Sequence, residues 1–156
     1  MDKEMFFRGK RLNNGEWVCG SLIQMDSEGS QSFIFPFYKY ASSLTCAQIV
    51  SMFMVAVDPT TVGQFTGLCD KNGVKIFEGD IVKTHYANAV KSDFVETVVF
   101  HNGRFCANSN ISETGQWWTS LADGVPHVSF DKSVYMESCK IIGNIHDNPE
   151  LVKEEE

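Results

Sequence analysis

Long apolar runs are missing from this chain. Its longest, Met52–Val57, is strand-length, against the ~20 residues a membrane-spanning helix needs. The five cysteines, at 19, 46, 69, 106 and 139, contain no C-x-x-C pair, so neither a zinc knuckle nor a redox motif is supported. Scattered single thiols read as small buried side chains in a reducing compartment. The opening MDKEMFFRGK carries acidic residues and has no long apolar core, so no secretory signal is expected. The histidines at 85, 101, 127 and 146 lie far apart, and no nucleophile-elbow motif surrounds a serine or cysteine. His146 and Asp147 are adjacent, but neighbours on a strand or turn seldom face each other. The glycines at 63, 67, 73 and 79 suit turns and bulges, with no following helix to hold a phosphate. No catalytic residue, cofactor or metal ligand is therefore expected, and the chain does not read as an enzyme. A site assembled only by the fold would be invisible at this level.

Positive charge is also scarce. The 156 residues carry a net charge of −7. Residues 1–24 hold four Lys or Arg against three Asp or Glu, or +1, and the last nine hold one Lys against four Glu, or −3. Duplex-binding proteins concentrate cations to displace counterions from phosphate. Only Arg8, Lys10 and Arg11 form a basic cluster here, and isolated charge runs of this kind are usually solvated surface. They are nonetheless the candidate contact residues for an anionic group.

What is present is strand and turn chemistry. With 43% hydrophobic residues, the length suits one domain or two small ones with a core. Met5–Leu12 and Glu16–Met25 read as a hairpin across Asn13-Asn14-Gly15, with Trp17 packing in the core or at an edge. Ser32–Tyr40 reads as a third strand, Pro36 arguing for an edge or a bulge. Its Phe33, Phe35 and Phe37 would share one face, read as buried, opposite Ile34, Pro36 and Tyr38. A loop or short helix and then a strand follow in 41–57. Asp58 caps a turn with Pro59 first.

The centre of the pattern is VGQFTGLCDKNGVKIFEGDIV, Val62–Val82. Alternation around Gln64, Thr66 and Leu68 predicts a strand. Asp70-Lys71-Asn72-Gly73 predicts a turn, because Asp accepts from amides two residues on and Asn and Gly tolerate positive φ. A metal loop would need oxygen ligands at alternate positions, which this stretch does not supply. Gly79 predicts a bulge or sharp bend. Further on, His101-Asn102-Gly103-Arg104 is a type I′ hairpin signal that pairs Phe100 with Phe105. Trp117 and Trp118 fall in a short strand to Leu121, one ring in and one out. The outward ring is a candidate partner contact, since Trp is enriched in hot spots. Ser138–Ile145 is the last strand, with Gly143 at a bulge, and Asn148 caps a turn beginning with Pro149 and ending with Leu151 packed back. The chain is thus mainly β, α+β at most.

Three separated blocks, FRGKRLNNGEWVCGSLI, VDPTTVGQFTGLCDKNGVKIFEGDIV and IIGNIHDNPELV, closely resemble the YopX protein family of small phage- and prophage-encoded bacterial proteins. The resemblance runs from about Phe6 to Val152. It implies an N-terminal β-rich subdomain, residues 1–60, and a C-terminal SH3-like β-barrel, residues 61–148, whose barrel begins near the EGDIV motif; 149–156 form a helical turn and an acidic tail. Cys69 stands where the family commonly has Lys. The resemblance brings no catalytic site and no activity with it. It implies a cytoplasmic location in a bacterial host, and the expected function is a non-catalytic protein-binding or adaptor role toward a phage or host protein. The alternative is a nucleic-acid-binding small barrel, disfavoured by the net charge, and the third reading is an enzyme. Self-association stays open, and no membrane partner is expected.

Overall fold

The computed structural model describes residues 6–25, 31–36, 45, 47–48, 53–85, 93–101, 103–109, 117–120 and 139–152, with backbone alone at 85, 93, 108–109 and 117–120. They build eleven strands and two short 3-10 turns. The chain divides into two compact units, Met1–Phe65 and Thr66–Glu156. Strand β5, Gly63–Cys69, starts in the first and ends in the second.

The first unit is an antiparallel meander. β1 (Phe7–Lys10), β2 (Trp17–Gln24), β3 (Ser32–Pro36) and β4 (Val55–Val57) pair in sequence order, and the start of β5 pairs with the other side of β1. The β1–β2 turn is closed by Arg11 and Glu16: the Arg11 N–H donates to the Glu16 carbonyl and the Gly15 N–H to that of Arg11. Asn14 steadies it, its Oδ1 accepting from the Glu16 N–H at 3.0 Å and its Nδ2 donating to the Glu16 carboxylate at 2.8 Å. Gly15 takes the positive φ (71°) that the turn requires. Arg11 bridges to Val57, which brings β4 back to the end of β1 and curls the sheet. One face packs Val18, Ile34 and Val57 with Phe7, Val55 and Val62.

Two expectations for β3 change. Ile34, completely buried, fills the core, while Phe33 and Phe35 lie half-buried on the opposite face. Pro36 is the last residue of an inner strand, so its missing N–H interrupts no continuing ladder; Phe37 and Tyr38 lie outside the described residues. Asp58 caps the turn Pro59–Thr61, accepting from the Thr60 N–H at 2.9 Å. The Thr61 hydroxyl in turn accepts from the Lys10 N–H at 2.8 Å.

In the second unit, the end of β5 pairs with β6 (Lys75–Phe77). β7 (Asp80–His85), β8 (Asp93–His101), β9 (Arg104–Ser109), β10 (Trp117–Ser120) and β11 (Lys140–Asn144) form a five-stranded antiparallel sheet in the order β10-β9-β8-β7-β11. Among the described residues this order is open, with no closed barrel. Ile76, Val82, Val98, Ala107 and Cys139 form its core, with Leu68, Phe105 and Ile141 packed against them. Gly79, at φ 82°, makes the expected sharp bend and turns the chain from β6 into β7, so the run KIFEGDIV holds two strands. Gly143 sits at the expected irregularity, where the β11–β7 register shifts between Ile141 and Gly143. No helix among the described residues is long and apolar enough to cross a membrane.

Candidate functional site

The basic cluster is resolved by strand alternation. Arg8 and Lys10 project from one face of β1, while Gly9 lies on the other, where a Cβ would meet Val57 at 3.1 Å. Arg11, one residue further, follows the Gly9 side by the same alternation. The hairpin register places Trp17 opposite Lys10 and Cys19 opposite Arg8. Both cations consequently reach the indole, the Arg8 guanidinium carbon at 4.6 Å from the ring centroid and the Lys10 ammonium at 5.5 Å. Such contacts contribute about 0.5–1 kcal/mol each at exposed sites. Trp17 is half-buried and Cys19 exposed. Trp17 is therefore not a core aromatic: cross-strand neighbours hold its ring at the surface.

Arg8 and Lys10 each take part in a further interaction besides the indole, and the Arg8 Nε is buried. Arg offers a planar fork of donors and Lys a compact ammonium. The indole that both contact supplies an apolar surface. Of the five candidate contact residues, Arg8 and Lys10 thus come together and Arg11 is set apart. Trp117 and Trp118 lie on β10, opposite Ser109 and Asn108 of β9; their side chains are outside the described residues. The missing signal for Trp17 was the turn length, which fixes the cross-strand register and so which residue faces Lys10.

The second concentration of polar side chains is in the second unit, where Asp70, Asp80, Thr84, Glu96 and Asn144 are buried. Each is used by the fold. Asp70 Oδ1 accepts from the Asn72 N–H at 2.8 Å and the Val74 N–H at 3.0 Å. Its Oδ2 accepts from the Ile141 N–H at 3.2 Å and the Asn72 amide at 3.5 Å. Desolvation pushes the Asp70 carboxyl up, but the donors from Val74, Asn72 and Ile141 outweigh it, leaving the group below its ordinary value. The four bonds use the oxygen lone pairs a metal would need. Asp80 accepts from the Phe77 N–H at 2.8 Å and closes the Gly79 turn. The Thr84 hydroxyl donates to Glu96 at 2.5 Å. Asn144 Oδ1 accepts from the N–H groups of His146 and Asp147, both at 2.9 Å, and its Nδ2 donates to Asp147 at 2.8 Å. Asn148 differs from its expected role: its Oδ1 turns back to accept from the Asn144 N–H at 3.4 Å, while Leu151 is 39% exposed instead of packed.

Cys139 sits within this region, completely buried. Burial first, then the charges of Asp70, Glu96 and Asp80, push its thiol up to about 12, so it stays protonated and unreactive at neutral pH. Among the described residues no group of three or more His, Cys, Asp or Glu is placed to hold a metal ion.

The sequence blocks that run through these turns correspond to a known family model, YopX protein, which matches residues 6–153. No curated protein matches the chain. Among solved structures, the crystal structure of protein EF1440 from Enterococcus faecalis is similar over 96% of this chain and 98% of that one, at 22% identity and a TM-score of 0.50. At that identity the likeness is one of fold alone.

Proposed function

The chain belongs to the YopX protein family, and from that premise we propose that it is a non-catalytic protein-binding or adaptor module of phage or prophage origin, working in the cytoplasm of a bacterial host. The observation that carries this reading is the Arg8–Trp17–Lys10 cluster, a half-buried indole contacted by two cations. Trp and Arg are the side chains most enriched where interfaces concentrate their binding energy. The buried carboxylates support the same reading, because the residues most characteristic of the sequence blocks close turns and seams. The strand order β10-β9-β8-β7-β11 is a meander whose last strand returns to pair with the first. It supports reading the second unit as an SH3-like fold, a scaffold that suits binding.

Affinity capture of the tagged full chain from bacterial lysate, with and without nuclease and at low and high salt, tests the reading. A protein partner that survives nuclease and is lost from an Arg8→Gln/Lys10→Gln variant is the expected result. A partner retained by that variant would place binding elsewhere. A second reading, nucleic-acid binding, draws on the same cluster, since bases stack on aromatic rings flanked by cations. It predicts capture that is nuclease-sensitive and steeply salt-dependent, and the net charge of −7 weighs against it.

A further inference from the structure

We infer that the Asp70 turn is a removable guard on the outer edge of β11, and that a second copy of this chain pairs with that edge when the guard is lost. The inference goes beyond the binding reading above and uses none of its residues. On the side of β11 away from β7, the Lys71 N–H donates to the Cys139 carbonyl at 3.0 Å, and the Asp70 carboxylate accepts from the Ile141 N–H at 3.2 Å. One donor and one acceptor are what an added strand would bring to these positions. The turn supplies them from a backbone amide and a side chain, so it fills the edge without being a strand itself.

Three features that blunt a strand edge meet on β11. Lys140 stands exposed between the two guarded positions, the register shift before Gly143 interrupts the ladder, and the Asp70 turn covers what precedes it. They differ in reach. Beyond Gly143 the chain closes on itself locally: Asn148 Oδ1 accepts from the Asn144 N–H at 3.4 Å, and the Asn148 N–H donates to the Asn144 carbonyl at 2.8 Å. The guard on Ile141 comes from 71 positions away, on a turn exposed from Lys71 to Lys75. It can be withdrawn while β11 keeps its pairing with β7. Ile141 and Ile142 are β-branched and favour strand pairing, and the edge they would bare is identical in every copy. Two such edges related by a twofold axis are self-complementary. Set antiparallel about Ile141, the two Ile141 residues exchange their N–H and carbonyl bonds. Lys140 of one copy then falls opposite Ile142 of the other, so like charges are not directly opposed.

Analytical ultracentrifugation of the full chain, with hydrogen exchange at the Ile141 amide, tests the inference in salt that screens the net charge of −7. Asp70→Ala is expected to self-associate at concentrations at least about tenfold lower than the wild type. In that variant the Ile141 amide should exchange rapidly when dilute and slow as concentration rises. In the wild type it should exchange slowly at every concentration, because Asp70 already holds it. Thr84→Val, which removes a buried hydrogen bond elsewhere in the same unit, separates the lost guard from general destabilisation and should associate no more than the wild type. Circular dichroism checks that the variants fold. If Asp70→Ala does not, Asp70→Asn carries the same two measurements, since it keeps the side chain's shape and removes its charge. Association no tighter than the wild type's, association matched by Thr84→Val, or an Ile141 amide whose exchange ignores concentration would overturn the inference.

Discussion

The carboxylate of Asp70 accepts the backbone N–H of Ile141 at 3.2 Å, although the two residues are 71 positions apart. The neighbouring Lys71 N–H donates to the Cys139 carbonyl at 3.0 Å. The β5–β6 turn thus occupies the backbone groups on the side of β11 that faces away from β7. Strand edges left open pair readily with other chains, and this turn covers one with a single carboxylate and an amide.

Replacing Asp70 by Ala is therefore expected to cost about 2–3 kcal/mol, because three backbone donors lose an ionised acceptor. The folded group titrates below its unfolded value. Its contribution is thus complete above the ordinary carboxylate pKa near 4 and fades as pH falls through the folded value. Urea melts of the wild type and Asp70→Ala across pH 3–7 should show a gap that narrows only toward acid. A gap independent of pH would mean that the carboxylate's charge is not what holds the turn.

Thr84 and Glu96, both buried, share a hydrogen bond at 2.5 Å. Thr84→Val removes the hydroxyl donor from a carboxylate with little access to water, at an expected cost of about 1–3 kcal/mol. Combined with Glu96→Gln in a double-mutant cycle, the pair should show a coupling of at least about 0.5 kcal/mol. Additive effects would show that the two side chains do not act together.

Gly20 has no room for a side chain. A Cβ there would lie 2.0 Å from the Phe35 carbonyl oxygen, so β2 and β3 would have to part. Gly20→Ala should destabilise the fold by about 3 kcal/mol or more. Gly67→Ala, at φ 83° but facing open space, should cost only the left-handed backbone penalty of about 1–2 kcal/mol. Comparable melting temperatures for the two variants would contradict the β2–β3 register.

Cys139 gives a prediction at the alkaline end. Its folded value of about 12 lies above the ordinary 9.0. Below pH 9 the thiol is neutral in both states and nothing is lost. As pH rises toward 12 the unfolded chain ionises first and stability falls, by about 1.4 kcal/mol per pH unit. Cys139→Ala should be less stable than the wild type at pH 7, by about 1–2 kcal/mol for the cavity, and the difference should close or reverse near pH 10.5. In thiol labelling of the native protein, Cys19 should react quickly while Cys106 and Cys139 stay protected until unfolding. Rapid labelling of Cys139 would refute its burial.

Local chemistry made much of this legible from the residues. Asn14-Gly15, Asp58-Pro59, Asp70–Gly73 and the Gly103 hairpin all turn where their residue types require, because capping and positive φ depend on neighbours in the chain. Phe100 pairs with Phe105 across that hairpin, with ring centroids 5.1 Å apart, as a two-residue loop dictates. Cross-strand relations were less accessible. That Trp17 meets Arg8 and Lys10, while Arg11 does not, follows from register and alternation together.

What the sequence determined by itself is the β character, the turns and the family, since these rest on short-range sterics and on motifs written in order. What only the tertiary structure decided is which side of each strand is covered. Ile34 displaced Phe33 and Phe35 from the core. Asp70 found Ile141, and Asn148 turned back to Asn144. The physical reason is the same throughout. A strand offers two faces and two edges of nearly equal local preference, and the choice between them is made by contacts with residues far away in the chain.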